Sequence, residues 1–99
     1  MKKTKITILG DGAWGTTLAI LLSKNGHEVV VWSAFPQHLD ILDKERENKT
    51  YLKEIQIPAN IIFEKDLQKA IEFVDFIVFS IPSKFFRSVC QMIKKEKVS

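Results

Sequence analysis

The sequence has only one cysteine, Cys90, which excludes an intramolecular disulfide framework. Its 4 glycines and 3 prolines in 99 residues are too few for a flexible or collagen-like chain. No apolar run approaches the roughly 20 residues that a membrane-spanning helix needs. The segment after the basic N-terminus contains Gly10, Asp11 and Gly12, so it does not resemble a signal-peptide core. These absences predict a small globular domain in the cytoplasm.

The positive charge is small and dispersed. The net charge is +3, and lysines cluster only at positions 2–3 and 94–97, near the two chain ends. A nucleic-acid-binding protein usually carries a basic stripe with interleaved aromatic residues, so no nucleic-acid partner is expected. His27 is expected at the surface and His38 at a helix start. Neither histidine belongs to a cluster of ligands, so no metal site is expected.

Residues 5–32 have the pattern of one βαβ unit. Residues 5–9 and 28–32 are short, apolar and β-rich, as in strands buried on both faces of a parallel sheet. Between them we predict a helix from Gly15 to Lys24, with Leu18, Leu21 and Leu22 on its apolar face. Gly26 follows at the position where a left-handed residue usually ends a helix.

The rest of the chain continues to alternate helices and strands. A helix is predicted from Pro36, with Leu39, Ile41 and Leu42 facing the core. The further predictions, in chain order, are an irregular connection over 48–60, a strand over 61–63, a helix capped by Asp66 and running through Phe73, a strand over 76–79, and a helix from Ser83 to about Lys95 with Phe86, Val89, Cys90 and Ile93 on one face. Together these elements predict an α/β fold, with an open parallel sheet and helices on both faces.

Three of the four glycines lie in Gly10-Asp11-Gly12-Ala13-Trp14-Gly15, a match to G-x-G-x-x-G. The motif lies directly after a strand and before a helix, which is the context of a Rossmann-type nucleotide-binding turn. There the first glycine permits the turn, the second lets a pyrophosphate approach the backbone, and the third lets the helix pack closely. The sequence therefore predicts a dinucleotide site at this turn.

Aromatic residues flank this predicted site. Trp14 is expected either to cover one side of a bound cofactor or to pack against a second domain. Phe35 is expected either to contact the adenine or to fold onto the core. The end of the second strand, Trp32 to Phe35, has neither the acidic residue that binds the ribose hydroxyls of NAD nor an arginine for the 2′-phosphate of NADP. The choice between NAD and NADP is therefore left open.

Three segments resemble the NAD(P)-dependent glycerol-3-phosphate dehydrogenases. They are GDGAWGTTLA at 10–19, ENKTYLKEIQIPANI at 47–61 and FIVFSIPSKFFR at 76–87. The resemblance implies an N-terminal NAD(P)-binding domain whose parent enzyme reduces dihydroxyacetone phosphate to sn-glycerol 3-phosphate for phospholipid synthesis. It also implies that Ala13, Trp14, Pro82 and Phe85 lie at the cofactor, with Ala34 and Phe35 at its adenosine end.

The resemblance further implies that residues 1–99 are a partial nucleotide-binding domain, incomplete at its C-terminus. The family's catalytic lysines and helical substrate domain would lie beyond Ser99, so no catalytic residue is assigned and the chain alone is expected to be inactive. An exposed sheet edge would allow association as a homodimer. Two alternatives remain at this point: a reductase of another hydroxy acid or sugar nucleotide, and a non-catalytic dinucleotide-sensing module.

Overall fold

A computed structural model describes residues 4–48, 52–81 and 87–93. The elements in these ranges are β1 (Lys5–Leu9), α1 (Ala13–Lys24), β2 (Glu28–Trp32), α2 (Pro36–Glu45), β3 (Glu47–Asn48), β4 (Leu52–Gln56), β5 (Ile62–Phe63), α3 (Leu67–Ile71) and β6 (Phe76–Phe79), followed by helical residues 87–93. The predicted strands at 5–9, 28–32 and 76–79 are confirmed at both ends.

The central sheet has four parallel strands in the order β5-β2-β1-β6. The chain winds outward from β1 through β2 to β5 and then crosses back to the other side of β1 as β6. This reversal creates a topological switch point between β1 and β6, and open α/β sheets bind ligands at the carboxyl ends of strands at such a point. The predicted Rossmann-type parallel sheet is confirmed.

One face of the sheet packs against α1 and α2. Ile6 and Ile8 of β1 point to this face, as do Val29 and Val31 of β2. The helices contribute the buried side chains Ala19, Ile20, Leu39 and Leu42. Two predictions for this layer are wrong, because Leu21 is 53% exposed and Ile41 is 51% exposed. Ala19 and Ile20 bring α1 close to the strands, so its buried side is turned away from Leu21.

The opposite face packs against α3 and helical residues 87–93, so the predicted helices on both faces are confirmed. Leu67, Ala70 and Ile71 of α3 are buried with Val89 and the β-strand residues of this face. The predicted cap is also confirmed, since the Asp66 carboxylate accepts a hydrogen bond from the backbone N–H of Gln68 at 3.0 Å. The helix ends at Ile71 rather than Phe73, which has φ 57° and is exposed.

The predicted irregular connection over 48–60 is wrong in part, because β3 and β4 pair as a small antiparallel ladder. Arg46 precedes it with a left-handed backbone, φ 56°. The Arg46 guanidinium donates to the carbonyl oxygens of Ile61 at 2.7 Å and Pro58 at 3.3 Å, and it lies 5.2 Å from the Phe63 ring centroid. One side chain therefore attaches this ladder to the segment that leads into β5. The predicted start of the last helix at Ser83 lies outside the described residues.

Candidate functional site

The glycine turn lies where β1, β2 and β6 end together. Its first residue, Gly10, has φ +132°, which side-chain-bearing residues rarely adopt. A Cβ atom there would be 1.9 Å from the Ser80 carbonyl oxygen, so no side chain fits. The Gly10 N–H donates to the carbonyl oxygen of Trp32 at 2.7 Å, and the Ser80 N–H donates to that of Leu9 at 2.8 Å. The predicted tight turn at Gly10 therefore joins the ends of three strands.

Gly15 allows α1 to approach this turn. A Cβ atom at Gly15 would be 2.4 Å from the Gly10 carbonyl oxygen and 3.3 Å from the Ser80 hydroxyl oxygen. The close packing predicted for the third glycine is thus observed, although α1 begins at Ala13 rather than at Gly15. The helix starts inside the motif because Gly12, with φ −74° and ψ −169°, serves as its N-cap.

Gly12 differs from the other two glycines of the motif, Gly10 and Gly15, because no atom restricts the space beside it. A Cβ atom there would meet no heavy atom within 4 Å. No side chain caps α1 at this end. The N–H groups of a helix's first turn have no partner within the helix and favour an anion. The lack of a side chain at Gly12 is therefore not required by packing, and it leaves open backbone at a helix N-terminus, as a bound pyrophosphate would need.

A cavity of about 650 Å³ opens at this edge of the sheet, within the size range of small-molecule sites. Seven of the predicted cofactor-binding residues line it: Gly10, Asp11, Gly12, Ala13, Trp14, Ala34 and Phe35. Gly15 lies beneath the turn and is absent from the lining. Ser80 and Ile81 continue the wall after β6. Pro82 and Phe85 lie outside the described residues, so their predicted contact with the cofactor stays a prediction.

The two aromatic residues of the cavity wall are not core residues. Trp14 is 66% exposed and Phe35 is 55% exposed. Phe35 is held by a local turn, in which its N–H donates to the Ser33 hydroxyl at 3.0 Å. By contrast, Trp32 is buried on the far face, where its indole N–H donates to the Lys65 carbonyl oxygen at 3.0 Å. Trp14 and Phe35 are therefore positioned to contact a ligand.

The structure places His38 in contact with Asp11, a pairing that the sequence analysis did not anticipate. His38 Nδ1 lies 2.5 Å from Asp11 Oδ2, although 27 residues separate them in sequence. The side chains are 20% and 9% exposed, respectively. Both residues line the cavity, His38 from the first turn of α2 and Asp11 from the glycine turn. This pair therefore connects the two segments that follow adjacent strands.

The described residues provide few other features that would indicate a functional site. Within 4–48, 52–81 and 87–93, no three His, Cys, Asp or Glu side chains are grouped as a metal ion would require. Cys90 is only partly buried, rather than buried as a core residue. In these same ranges, no helix combines the length and apolar character needed to cross a lipid bilayer.

The parallel sheet, the switch point and the open glycine turn define a Rossmann-type domain of the nucleotide-binding kind. Residues 5–98 match the model of the family described as NAD-dependent glycerol-3-phosphate dehydrogenase N-terminus. The chain belongs to this family, and the resemblance stated from its three motifs is confirmed.

Individual relatives agree with this assignment. Glycerol-3-phosphate dehydrogenase (NAD(P)+) of Enterococcus faecalis is 42% identical over 91 residues, which are 92% of this chain and 27% of that protein. The enzyme of the same name from Bartonella tribocorum is 42% identical over 94 residues, or 95% of this chain and 28% of its own length. The chain therefore spans little more than a quarter of these relatives.

Solved structures show the same fold. The glycerol-3-phosphate dehydrogenase of Coxiella burnetii matches with a TM-score of 0.89 and 35% identity, over 94% of this chain and 29% of that one. The Plasmodium falciparum glycerol-3-phosphate dehydrogenase matches with a TM-score of 0.82 and 32% identity, over 94% of this chain and 29% of that one. In both cases the match covers only a minor part of the longer chain.

Proposed function

We propose that this chain binds NAD(H) or NADP(H) as the nucleotide-binding part of a glycerol-3-phosphate dehydrogenase. The observation that carries the proposal is the unobstructed backbone at Gly12, at the N-terminus of α1 and on the wall of the cavity. Family membership and the names of the relatives support both the cofactor class and the reaction. We assign the chain to the N-terminal, partial nucleotide-binding domain of such an enzyme.

The described residues suit the parts of a dinucleotide in different ways. Gly12 and the first turn of α1 would hold the pyrophosphate, since the helix N-terminus offers N–H donors and a favourable dipole. Ala34 and Phe35 would contact the adenosine end, and Trp14 would cover an exposed side of the cofactor. When bound, the reduced cofactor supplies the hydride for a carbonyl substrate.

The proposed reaction is the reduction of dihydroxyacetone phosphate to sn-glycerol 3-phosphate, which serves phospholipid synthesis. A general acid must lie near the carbonyl oxygen as the hydride arrives. We assign no catalytic residue within this chain, and we expect the acid and the site for the substrate phosphate in the further length that the relatives possess. We also propose that the protein acts in the cytoplasm and that association as a homodimer buries exposed surface.

Calorimetric titration of the chain with NADH and NADPH tests the cofactor proposal directly. Trp14 provides a local reporter, because it is exposed on the cavity wall whereas Trp32, the other tryptophan, is buried elsewhere. Cofactor should quench the tryptophan emission of Trp32→Phe more strongly than that of Trp14→Phe. Heat of binding without any quenching of Trp14 would place the ligand elsewhere, and no binding of either cofactor would refute the proposal.

A chimera tests whether this chain can serve as the cofactor-binding part of such an enzyme. This chain would replace the matching N-terminal 27% of the Enterococcus faecalis relative, and oxidation of NADH would be followed with dihydroxyacetone phosphate and, separately, with ketopantoate. Activity with the triose phosphate alone is expected. The matched control is the same chimera with Gly12→Val, which should keep its fold and lose activity because the side chain enters the open space beside Gly12. A folded chimera that shows no oxidation of NADH with the triose phosphate would contradict the proposed role of this chain as the cofactor-binding part of such an enzyme.

A further inference from the structure

Ile41 is a large apolar side chain on the cavity wall that the core does not use. It is 51% exposed, whereas Leu39 and Leu42 of the same helix are buried against the sheet. Asp40 lies on a third side of α2, where its carboxylate pairs with the Lys65 ammonium at 2.9 Å. A single exposed isoleucine is ordinary, but this one lines a cavity of a size that suits small molecules.

The helical spacing of α2 accounts for the position of Ile41 in this wall. Gln37 and His38 also line the cavity, and positions i, i+3 and i+4 share one side of an α-helix. With Trp14 and Phe35, Ile41 makes three large, exposed apolar side chains on the wall of one cavity. Apolar residues grouped around a concave site are typical of ligand binding.

The strand order indicates which half of a dinucleotide would meet Ile41. β2 and β6 lie on opposite sides of β1, and the glycine turn after β1 is proposed to hold the pyrophosphate. In domains of this type, residues at the end of the second strand contact the adenosine ribose, so the adenosine half lies on the β2 side. Because α2 follows β2 in the chain, Ile41 belongs to the adenosine side of the cavity.

The segment between β2 and Ile41 offers little charge for binding that half. Residues 33–37 are Ser, Ala, Phe, Pro and Gln. They include neither the acidic residue that usually binds the ribose hydroxyls nor the arginine that meets a 2′-phosphate. More of the binding free energy at this end must therefore come from the burial of apolar surface. An aliphatic side chain on the cavity wall provides such surface for the face of a purine ring.

We propose that Ile41 contacts the adenine of a bound dinucleotide and is a determinant of cofactor affinity. In this assignment the base covers the exposed side of Ile41 and removes its apolar surface from water. The contact also positions the adenosine half against α2. The inference rests on the proposed binding of a dinucleotide in this cavity.

Titration calorimetry with NADH and with ADP-ribose, which retains the adenosine but lacks nicotinamide, tests the contact. Ile41→Ala should weaken both ligands by the same factor, about fivefold, because less apolar surface is buried against the base. Ile41→Leu keeps the apolar volume and should stay within about twofold of the wild-type affinity for both ligands.

Leu21→Ala is the matched control. Leu21 is 53% exposed, nearly the same as Ile41, but it lies on α1 and is absent from the cavity wall. This variant should change neither affinity. The two alanine variants should lose similar amounts of stability in urea, so that a difference in affinity between them does not come from folding.

Methyl NMR of isoleucine-labelled protein gives a local readout of the contact. The Ile41 methyl resonances are assigned by their absence in Ile41→Leu. They should shift upfield when ADP-ribose is added, because the ring current of adenine shields a methyl group above its face. Nicotinamide mononucleotide has no adenine and should leave them in place.

Three results would overturn the inference: unchanged affinities in Ile41→Ala, a loss of NADH affinity in that variant with ADP-ribose unaffected, or Ile41 methyl resonances that do not move at saturating ADP-ribose. The second result would assign Ile41 to the nicotinamide half. Each of these leaves dinucleotide binding by the wild-type chain intact. Failure of the proposed function is distinct, because the wild-type chain then binds neither NADH nor ADP-ribose and both proposals fall.

Discussion

Gly10 and Ser80 lie so close that their contact leaves no room for a methyl group: a Cβ atom on Gly10 would be 1.9 Å from the Ser80 carbonyl oxygen. The two residues follow β1 and β6, the strands on either side of the switch point. Their approach brings the glycine turn against the end of β6. The same contact therefore determines both the packing of the sheet and the shape of one wall of the cavity.

Gly10→Ala should destabilise the domain strongly. The left-handed backbone costs a side-chain-bearing residue about 1–2 kcal/mol, and overpacking typically adds about 1–3 kcal/mol. We expect the free energy of unfolding in urea to fall by about 3 kcal/mol or more. Gly26→Ala is the matched control, because Gly26 also has a positive φ, +93°, but a Cβ atom there meets nothing within 4 Å. Equal losses in the two variants would contradict the role of the Ser80 contact.

Gly12→Ala should separate cofactor binding from folding. Its φ of −74° is available to alanine and no atom lies within 4 Å of the added Cβ, so the free energy of unfolding should change by less than about 1 kcal/mol. The methyl group would stand between the pyrophosphate and the backbone, and we expect affinity for NADH to fall about tenfold or more. Calorimetry and urea denaturation on the same sample measure both. Unchanged affinity would contradict the proposed position of the pyrophosphate.

Thr7→Val should reveal a buried hydrogen bond between the sheet and α3. The Thr7 hydroxyl is fully buried and donates to the carbonyl oxygen of Ala70. Valine has nearly the same shape but leaves that carbonyl unpaired, which should lower the free energy of unfolding by about 1–3 kcal/mol. Thr17→Val serves as the control, because the Thr17 hydroxyl bonds only within its own helix, to Ala13, and is partly exposed. A smaller loss at position 7 than at position 17 would refute this account.

Arg46→Ala should loosen the β3–β4 ladder. The substitution removes charge-assisted hydrogen bonds to the Pro58 and Ile61 carbonyl oxygens, and we expect a loss of about 2–3 kcal/mol in the free energy of unfolding. Arg46→Lys should recover less than half of it, because Nη1 bonds the two carbonyls while Nη2 bonds Asp43, and an ammonium group lacks this planar arrangement of donors. Asp43→Asn removes only the exposed ion pair at 2.7 Å and should cost less than about 1 kcal/mol. Hydrogen exchange at Ile57, whose N–H donates to the backbone carbonyl oxygen of Arg46 at 2.7 Å, gives a local measurement.

The parts of the fold that the sequence predicted well are those with short runs of apolar, β-forming residues. The runs at 5–9, 28–32 and 76–79 contain mainly apolar β-forming residues, and their bounds agree with the strands in the structure. The Asp66 cap was also readable, since it is a local interaction within a few residues. Leu21 and Ile41 were assigned wrongly because helical spacing indicates which residues share a side, but not how wide a strip the sheet covers.

Long-range contacts account for the other differences. The β3–β4 ladder depends on Arg46 reaching residues more than ten positions away, which no local pattern records. The Asp11–His38 contact is likewise long-range, since 27 residues separate the two positions. A signal did exist for it, because both residues follow the carboxyl ends of strands expected to be neighbours in a parallel sheet, where their side chains can meet.

Both outer strands of the four-stranded sheet carry a large apolar side chain at the surface, Ile62 of β5 at 56% exposure and Phe76 of β6 at 62%. Exposed apolar edge strands favour lateral pairing between molecules. The isolated polypeptide should therefore self-associate, and the fraction of oligomers should rise with protein concentration. Replacing Ile62 or Phe76 with lysine should keep concentrated samples monodisperse.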